Sequence, residues 1–110
     1  MRRDLVTIAG LAGEDHEGKP RTALVIQSDD FPETDSITVA LLTSVASDAP
    51  LIRIGIDPTP ANNLRQTSWI MIEKIATVRR KNIGAVFGRL SDAELVQINR
   101  ALPMFLGLAG

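Results

Sequence analysis

Apolar residues in the first nine-tenths of this chain come in short runs, each broken by turn signals. Leu5 to Ile8 is a compact apolar run. Gly10 to Pro20, with three glycines and four charges, reads as a loop. Ala23-Leu24-Val25-Ile26 is continuously apolar, the pattern of a strand buried on both faces. Asp29 to Asp35 holds Pro32 and four acids and predicts a second loop. Ile37 to Leu42 predicts a third strand, β-branched at Ile37, Thr38 and Val39. Leu51 to Ile56 partly alternates, as a half-buried strand does. Pro58, Pro60, Asn62 and Asn63 mark the next turn, where Asn tolerates a left-handed backbone. Trp69 to Ile72 predicts a fifth strand, and Ala85 to Leu90 a further extended segment.

The period changes near residue 91. Ser91 followed by Glu94 is a capping box just ahead of an apolar pattern. Leu95, Ile98, Leu102 and Phe105 then form one stripe of a helix. Pro103 lacks an N–H and clashes with the carbonyl four residues back, so a bend or loosened turn is expected around Asn99. Short strands with one terminal helix predict a mainly β fold: a small, strongly bent sheet or partial barrel with the helix packed at one end.

Composition narrows the picture. The 110 residues are 45% hydrophobic and 23% charged, which predicts one globular domain spanning residues 1–110. Cysteine is absent and His16 is the one histidine, so thiolate chemistry and a structural zinc site are excluded. No apolar run reaches the ~18 residues of a membrane helix, and the N-terminus does not resemble a signal peptide. A cytoplasmic protein without a membrane partner is expected. Residues 1–60 carry five bases against ten acids, whereas residues 61–110 carry seven bases against three acids. That asymmetry excludes a highly basic general phosphate binder and confines any polyanion to a local site. Arg79-Arg80-Lys81, by itself, reads equally as a solvated turn.

Few groups are left to carry chemistry. Arg21 leads into the second strand, Thr43 and Ser44 end the third, and Glu73 and Lys74 follow the predicted fifth. On spacing alone, Arg21 pairs with a loop acid while Thr43 and Ser44 satisfy a turn.

Gly18-Lys19-Pro20-Arg21-Thr22-Ala23-Leu24-Val25-Ile26-Gln27-Ser28 resembles the G-x-x-R-P-x-L-V-I-x-S opening of the MazF/PemK toxins. Val39 to Ser44 resembles that family's third strand with its terminal Thr-Thr or Thr-Ser pair. Leu64 to Ser68, Ile70 to Lys74, Thr77 to Arg80, Gly88 to Ser91 and the helix ending Phe105 to Leu108 extend the resemblance over nearly the whole chain. Four departures stand out. Thr22 follows the arginine where the family has Pro; the R-G-D near the start lacks its glycine before Asp4; Asn63 replaces Gly; and Glu73 replaces Asp.

The resemblance implies the bent barrel of the CcdB/Kid/MazF type and the toxin half of a type II toxin–antitoxin system. It implies a metal-independent, sequence-selective endoribonuclease that needs no cofactor. Arg21 then matches the catalytic arginine and Thr43 the catalytic threonine, with Ser44 assisting. Glu73 matches an acid that acts as general base in some relatives, helped by a histidine in the first loop, where His16 lies. Lys19, Arg79, Arg80 and Lys81 become candidate RNA contacts. The implied partners are single-stranded RNA, a cognate antitoxin and a second copy in a homodimer. The loops Gly10–Pro20 and Val45–Pro50 are expected to set the cleavage sequence. The alternatives are a CcdB-like poison of DNA gyrase and a degenerate member that only binds antitoxin; Arg21 with Thr43-Ser44 discriminates in favour of RNA cleavage.

Overall fold

A computed structural model describes residues 1–9 and 21–108. Six strands, β1 (Asp4–Ile8), β2 (Arg21–Val25), β3 (Ser36–Thr43), β4 (Arg53–Ile56), β5 (Ser68–Arg79) and β6 (Ile83–Arg89), precede one helix, α1 (Asp92–Phe105). They form a single antiparallel sheet in the order β4-β5-β3-β2-β1-β6. The predicted Gly10–Pro20 loop lies outside the described residues.

The longest strand explains the bend. β5 pairs through Ser68–Met71 with β4, and along its length with β3, from Trp69 opposite Thr43 to Arg79 opposite Ser36. A register shift interrupts the β3–β5 ladder between Ala40 and Leu42, and extra residues of that kind bend and twist a strand. The sheet therefore has two buried sides. Leu5, Leu24, Leu42, Ile54, Ile70 and Ile98 belong to the core beneath α1. Val6, Ala23, Val39, Leu41, Met71 and Val78 form the second core on the opposite side. Their alternation along β1, β2 and β3 is why those strands read as continuous apolar runs.

The helix begins as its sequence predicts. The Ser91 hydroxyl accepts from the Glu94 N–H at 3.1 Å, and the Glu94 carboxylate accepts from the Ser91 N–H at 2.8 Å. Ile98 and Leu102 are buried and Leu95 is half-buried, while Phe105 remains 46% exposed. Pro103 lies inside α1, and the helix is not terminated there. The helix continues to Phe105, at the cost of the one bond a residue 103 N–H would make to the Asn99 carbonyl. Gly107, at φ 75°, closes that end, and the Leu108 N–H donates to the Pro103 carbonyl at 2.8 Å. Among the described residues, no helix is long and apolar enough to cross a membrane.

Candidate active site

The segment between β4 and β5 walls the site, and one asparagine holds it in place. Asn62 is fully buried. Its carbonyl oxygen accepts from the Thr59 and Leu64 N–H groups at 2.9 and 3.0 Å, and its amide donates to the Asp57 carbonyl at 2.9 Å. The segment lies directly on β6, where a Cβ on Gly88 would overlap the Asn62 backbone, so only glycine permits the approach. Asn63 follows at φ 54° and donates its amide to the Phe87 carbonyl at 2.6 Å. The turn predicted around Asn62 and Asn63 thus ties β4–β5 to the far edge of the sheet.

Between this segment and the ends of β2 and β3 lies an open pocket of about 640 Å³. Arg21, Thr43 and Ser44 all line it. Their meeting follows from register: Ala23 stands opposite Leu41, so two residues further on the strand ends bring Arg21 level with Thr43. The Val45 N–H donates to the Thr43 hydroxyl oxygen at 3.1 Å. With that lone pair engaged by the turn, the hydroxyl proton is the part left to donate outward. The turn role expected for Thr43 on spacing alone is therefore real, and it orients the hydroxyl.

A planar cation beside two hydroxyls is an arrangement suited to an anionic, phosphate-like group. The family description "PemK-like, MazF-like toxin of type II toxin-antitoxin system" matches residues 1–106. The chain belongs to this family. It is 46% identical, over the full length of both chains, to a Mycolicibacterium smegmatis protein named "Probable endoribonuclease MazF". Its fold is similar to that of a mycobacterial endoribonuclease solved with its cognate antitoxin, at a TM-score of 0.81 and 19% identity over 100% of this chain and 97% of that one. It is also similar to the Mycobacterium tuberculosis toxin MazF-mt6, at a TM-score of 0.77 and 21% identity over 96% and 98% of the two chains. A MazE–MazF structure from Deinococcus radiodurans gives a TM-score of 0.77 at 16% identity, covering 98% and 96%. The likeness to these structures spans the whole six-stranded antiparallel sheet and its terminal helix.

In this toxin the remaining predicted site residues that lie among the described ones are not gathered at the pocket. Glu73 does not line it. Its carboxylate instead accepts both contacts of the Arg53 Nε, at 3.0 and 2.7 Å, across the β4–β5 pair. That hydrogen bond holds the Glu73 carboxyl below the usual carboxylate range, against the opposing effect of burial. The ion pair makes Glu73 a weaker base. Arg79, Arg80 and Lys81 lie at the Ser36 end of β5, seven positions along β3 from Thr43, roughly 20 Å by strand rise. The Arg80 guanidinium donates to the carbonyls of Thr34 and Pro32 and so fastens the acidic 29–35 loop. His16 and Lys19 lie outside the described residues.

The pocket also contains residues that sequence reasoning passed over. Thr7, Asn63, Arg65, Gln66 and Phe87 share its wall with Arg21. Asn63 carried a signal, as an asparagine standing where the family pattern has glycine. Arg65 carried none, because an isolated arginine after a turn is an ordinary surface residue.

Proposed function

We propose that this toxin is a metal-independent endoribonuclease that cuts single-stranded RNA at selected sequences. The supporting observation is the sharing of one open pocket by Arg21, Thr43 and Ser44 at level strand ends. The full-length relative named as an endoribonuclease points the same way.

Without a metal, the ribose 2′-oxygen attacks its own 3′-phosphodiester. The 2′-O–P bond forms, the P–O5′ bond breaks, and a 2′,3′-cyclic phosphate remains. The 2′ proton leaves to a base, and the departing 5′-oxygen takes up a proton. The Arg21 fork holds two non-bridging oxygens as charge develops on them, which a lysine does only as a point charge. The Thr43 hydroxyl donates to the same phosphate, with Ser44 beside it. His16 is the one side chain in the sequence whose ordinary pKa suits proton transfer near neutrality, and it is assigned that step in place of the ion-paired Glu73. Arg79 and Lys81, both exposed, are assigned to the backbone of a longer RNA, and Lys19 to the strand near the cut.

A cognate antitoxin with a flexible acidic tail is the inhibitor this reading requires, and its binding weakens with salt where it rests on surface charge. A two-fold homodimer is the working state, with exposed Met104, Phe105, Leu106 and Leu108 in the joint. The test is incubation of the purified protein with a long single-stranded RNA in excess EDTA. Discrete fragments ending in 2′,3′-cyclic phosphate are expected; intact RNA, or equal cutting of duplex RNA, overturns the reading.

A further inference from the structure

The pocket extends well beyond what a phosphate needs. Arg21, Thr43 and Ser44, at the ends of β2 and β3, make up only part of its lining. Among the described residues, Thr7, Phe87 and the segment Asn63–Gln66 line it as well. Resting on the reading of the toxin as an endoribonuclease, we propose that this part seats one unpaired base next to the scissile phosphate and reads it through Arg65 and Gln66.

Three features carry the assignment. The first is a flat, half-buried aromatic surface: Phe87 lines the pocket, and bases freed from a duplex stack on such rings. The second is availability. Among the described residues, Arg65 and Gln66 make no side-chain hydrogen bond or ion pair, whereas the backbone beneath them is fixed on both sides. Asn62 accepts from the Leu64 N–H, the Ser68 hydroxyl donates to the Gln66 carbonyl at 3.1 Å, and the Thr67 hydroxyl donates to Asp57 at 2.9 Å. Unpaired polar side chains on a pinned backbone suit recognition, since little ordering is left to pay for on binding.

The third feature is the balance of donors and acceptors. The Thr7 hydroxyl oxygen accepts from the Ala85 N–H at 3.1 Å, which leaves its proton to donate. Asn63 has spent one amide N–H on the Phe87 carbonyl and keeps one donor and its acceptor oxygen, a neutral balance. Arg65 is a pure donor, and its fork matches the paired O6 and N7 acceptors of guanine. The wall therefore favours guanine or uracil, which present the O6 or O4 acceptor, over adenine or cytosine, which present an amino donor at that place. This places sequence reading on the β4–β5 connection, in addition to the two loops expected to set it from sequence.

The experiment is cleavage of a random-sequence single-stranded RNA pool, with fragment ends sequenced, by the wild type, Arg65→Gln and Gln66→Leu. Both positions are exposed, and circular dichroism is the check that the variants fold. The wild type is expected to favour guanine or uracil at one position beside the cut, and the base found separates those two. Arg65→Gln should move that position toward adenine, whose N6 and N7 suit an amide, changing the ratio roughly tenfold while other positions keep their preference. Gln66→Leu should flatten the same position. If Arg65→Gln instead lowers cutting of every sequence alike and makes the salt dependence shallower, Arg65 is a phosphate contact and the base pocket is wrong. An unchanged preference in both variants also overturns it. A wild type that leaves the pool intact fails earlier, at the endoribonuclease reading itself.

Discussion

Two arginine-containing regions of this toxin sit at opposite extremes of internal satisfaction. At the β4–β5 pair, Arg53 and Glu73 are each about one-fifth exposed and hold one another at 2.5–3.0 Å. At the pocket, Arg65 and Gln66 face the opening without a side-chain partner among the described residues, next to a Thr43 hydroxyl turned to donate. The first region has consumed its own chemistry, and the second has kept some for a ligand. Charge density therefore does not mark the site. The most basic stretch of the sequence, Arg79-Arg80-Lys81, devotes its middle member to carbonyls of its own loop.

The comparison is broken most directly at Arg21. Arg21→Ala is expected to reduce RNA cleavage by at least ~100-fold with the circular dichroism spectrum unchanged, because the arginine stabilises phosphate charge and sits at a strand end. Arg21→Lys keeps the charge and loses the fork, and is expected to be impaired nearly as much. Single-turnover rates close to wild type in the lysine variant would remove the proposed role. Thr43→Ala deletes one neutral donor, so a smaller loss is expected, roughly tenfold in rate.

The ion-paired region is expected to answer to stability and not to chemistry. Glu73→Gln should cost about 1–2 kcal/mol, read as a lowered Tm, with cleavage changed by no more than a few-fold. Its pH dependence has a definite sign. The folded pKa of Glu73 lies below its unfolded value of about 4.3, so its contribution is complete above that pH and disappears as the pH falls through the folded value. Wild type and Glu73→Gln should accordingly converge in stability as the pH falls below the depressed folded pKa of Glu73. A large loss of activity at unchanged Tm would return Glu73 to the mechanism.

The smallest expected effect concerns backbone strain. The described non-glycine residues with positive φ are Arg3, at 81°, and Asn63, at 54°. These are the two places where the family resemblance lacks its glycine. Arg3 retains its position with an ion pair to Asp92 at 2.6 Å, a pair too exposed to be worth more than a fraction of a kcal/mol. Arg3→Gly is expected to stabilise the toxin by about 0.5–1 kcal/mol in urea unfolding, the left-handed cost outweighing the lost pair. Asn63 is different, because its amide bond to Phe87 helps shape the pocket wall.

Much of the fold was legible because its signals are local. The apolar runs at Leu5–Ile8, Ala23–Ile26 and Ile37–Leu42 fall within or beside their strands, and the Ser91–Glu94 box opens the helix at the predicted place. β5 was read too short because Lys74 and Thr77 interrupt its apolar run, although the backbone continues to pair through them to Arg79. Pro103 predicts a loosened turn around Asn99, and the helix nevertheless continues past it to Phe105.

Residue type and family pattern singled out Arg21, Thr43 and Ser44 from the sequence. What the sequence did not determine was which other groups would join them. Arg53 reaches Glu73 across twenty residues, Arg80 reaches back to Pro32, and Asn63–Gln66 folds over toward Arg21. The first two meetings depend on strand register, and the third on a buried asparagine resting against a glycine of another strand. Local preferences fix which segments become strands. Which polar group spends its hydrogen bonds inside the protein, and which keeps them for a ligand, is settled only when those strands pair.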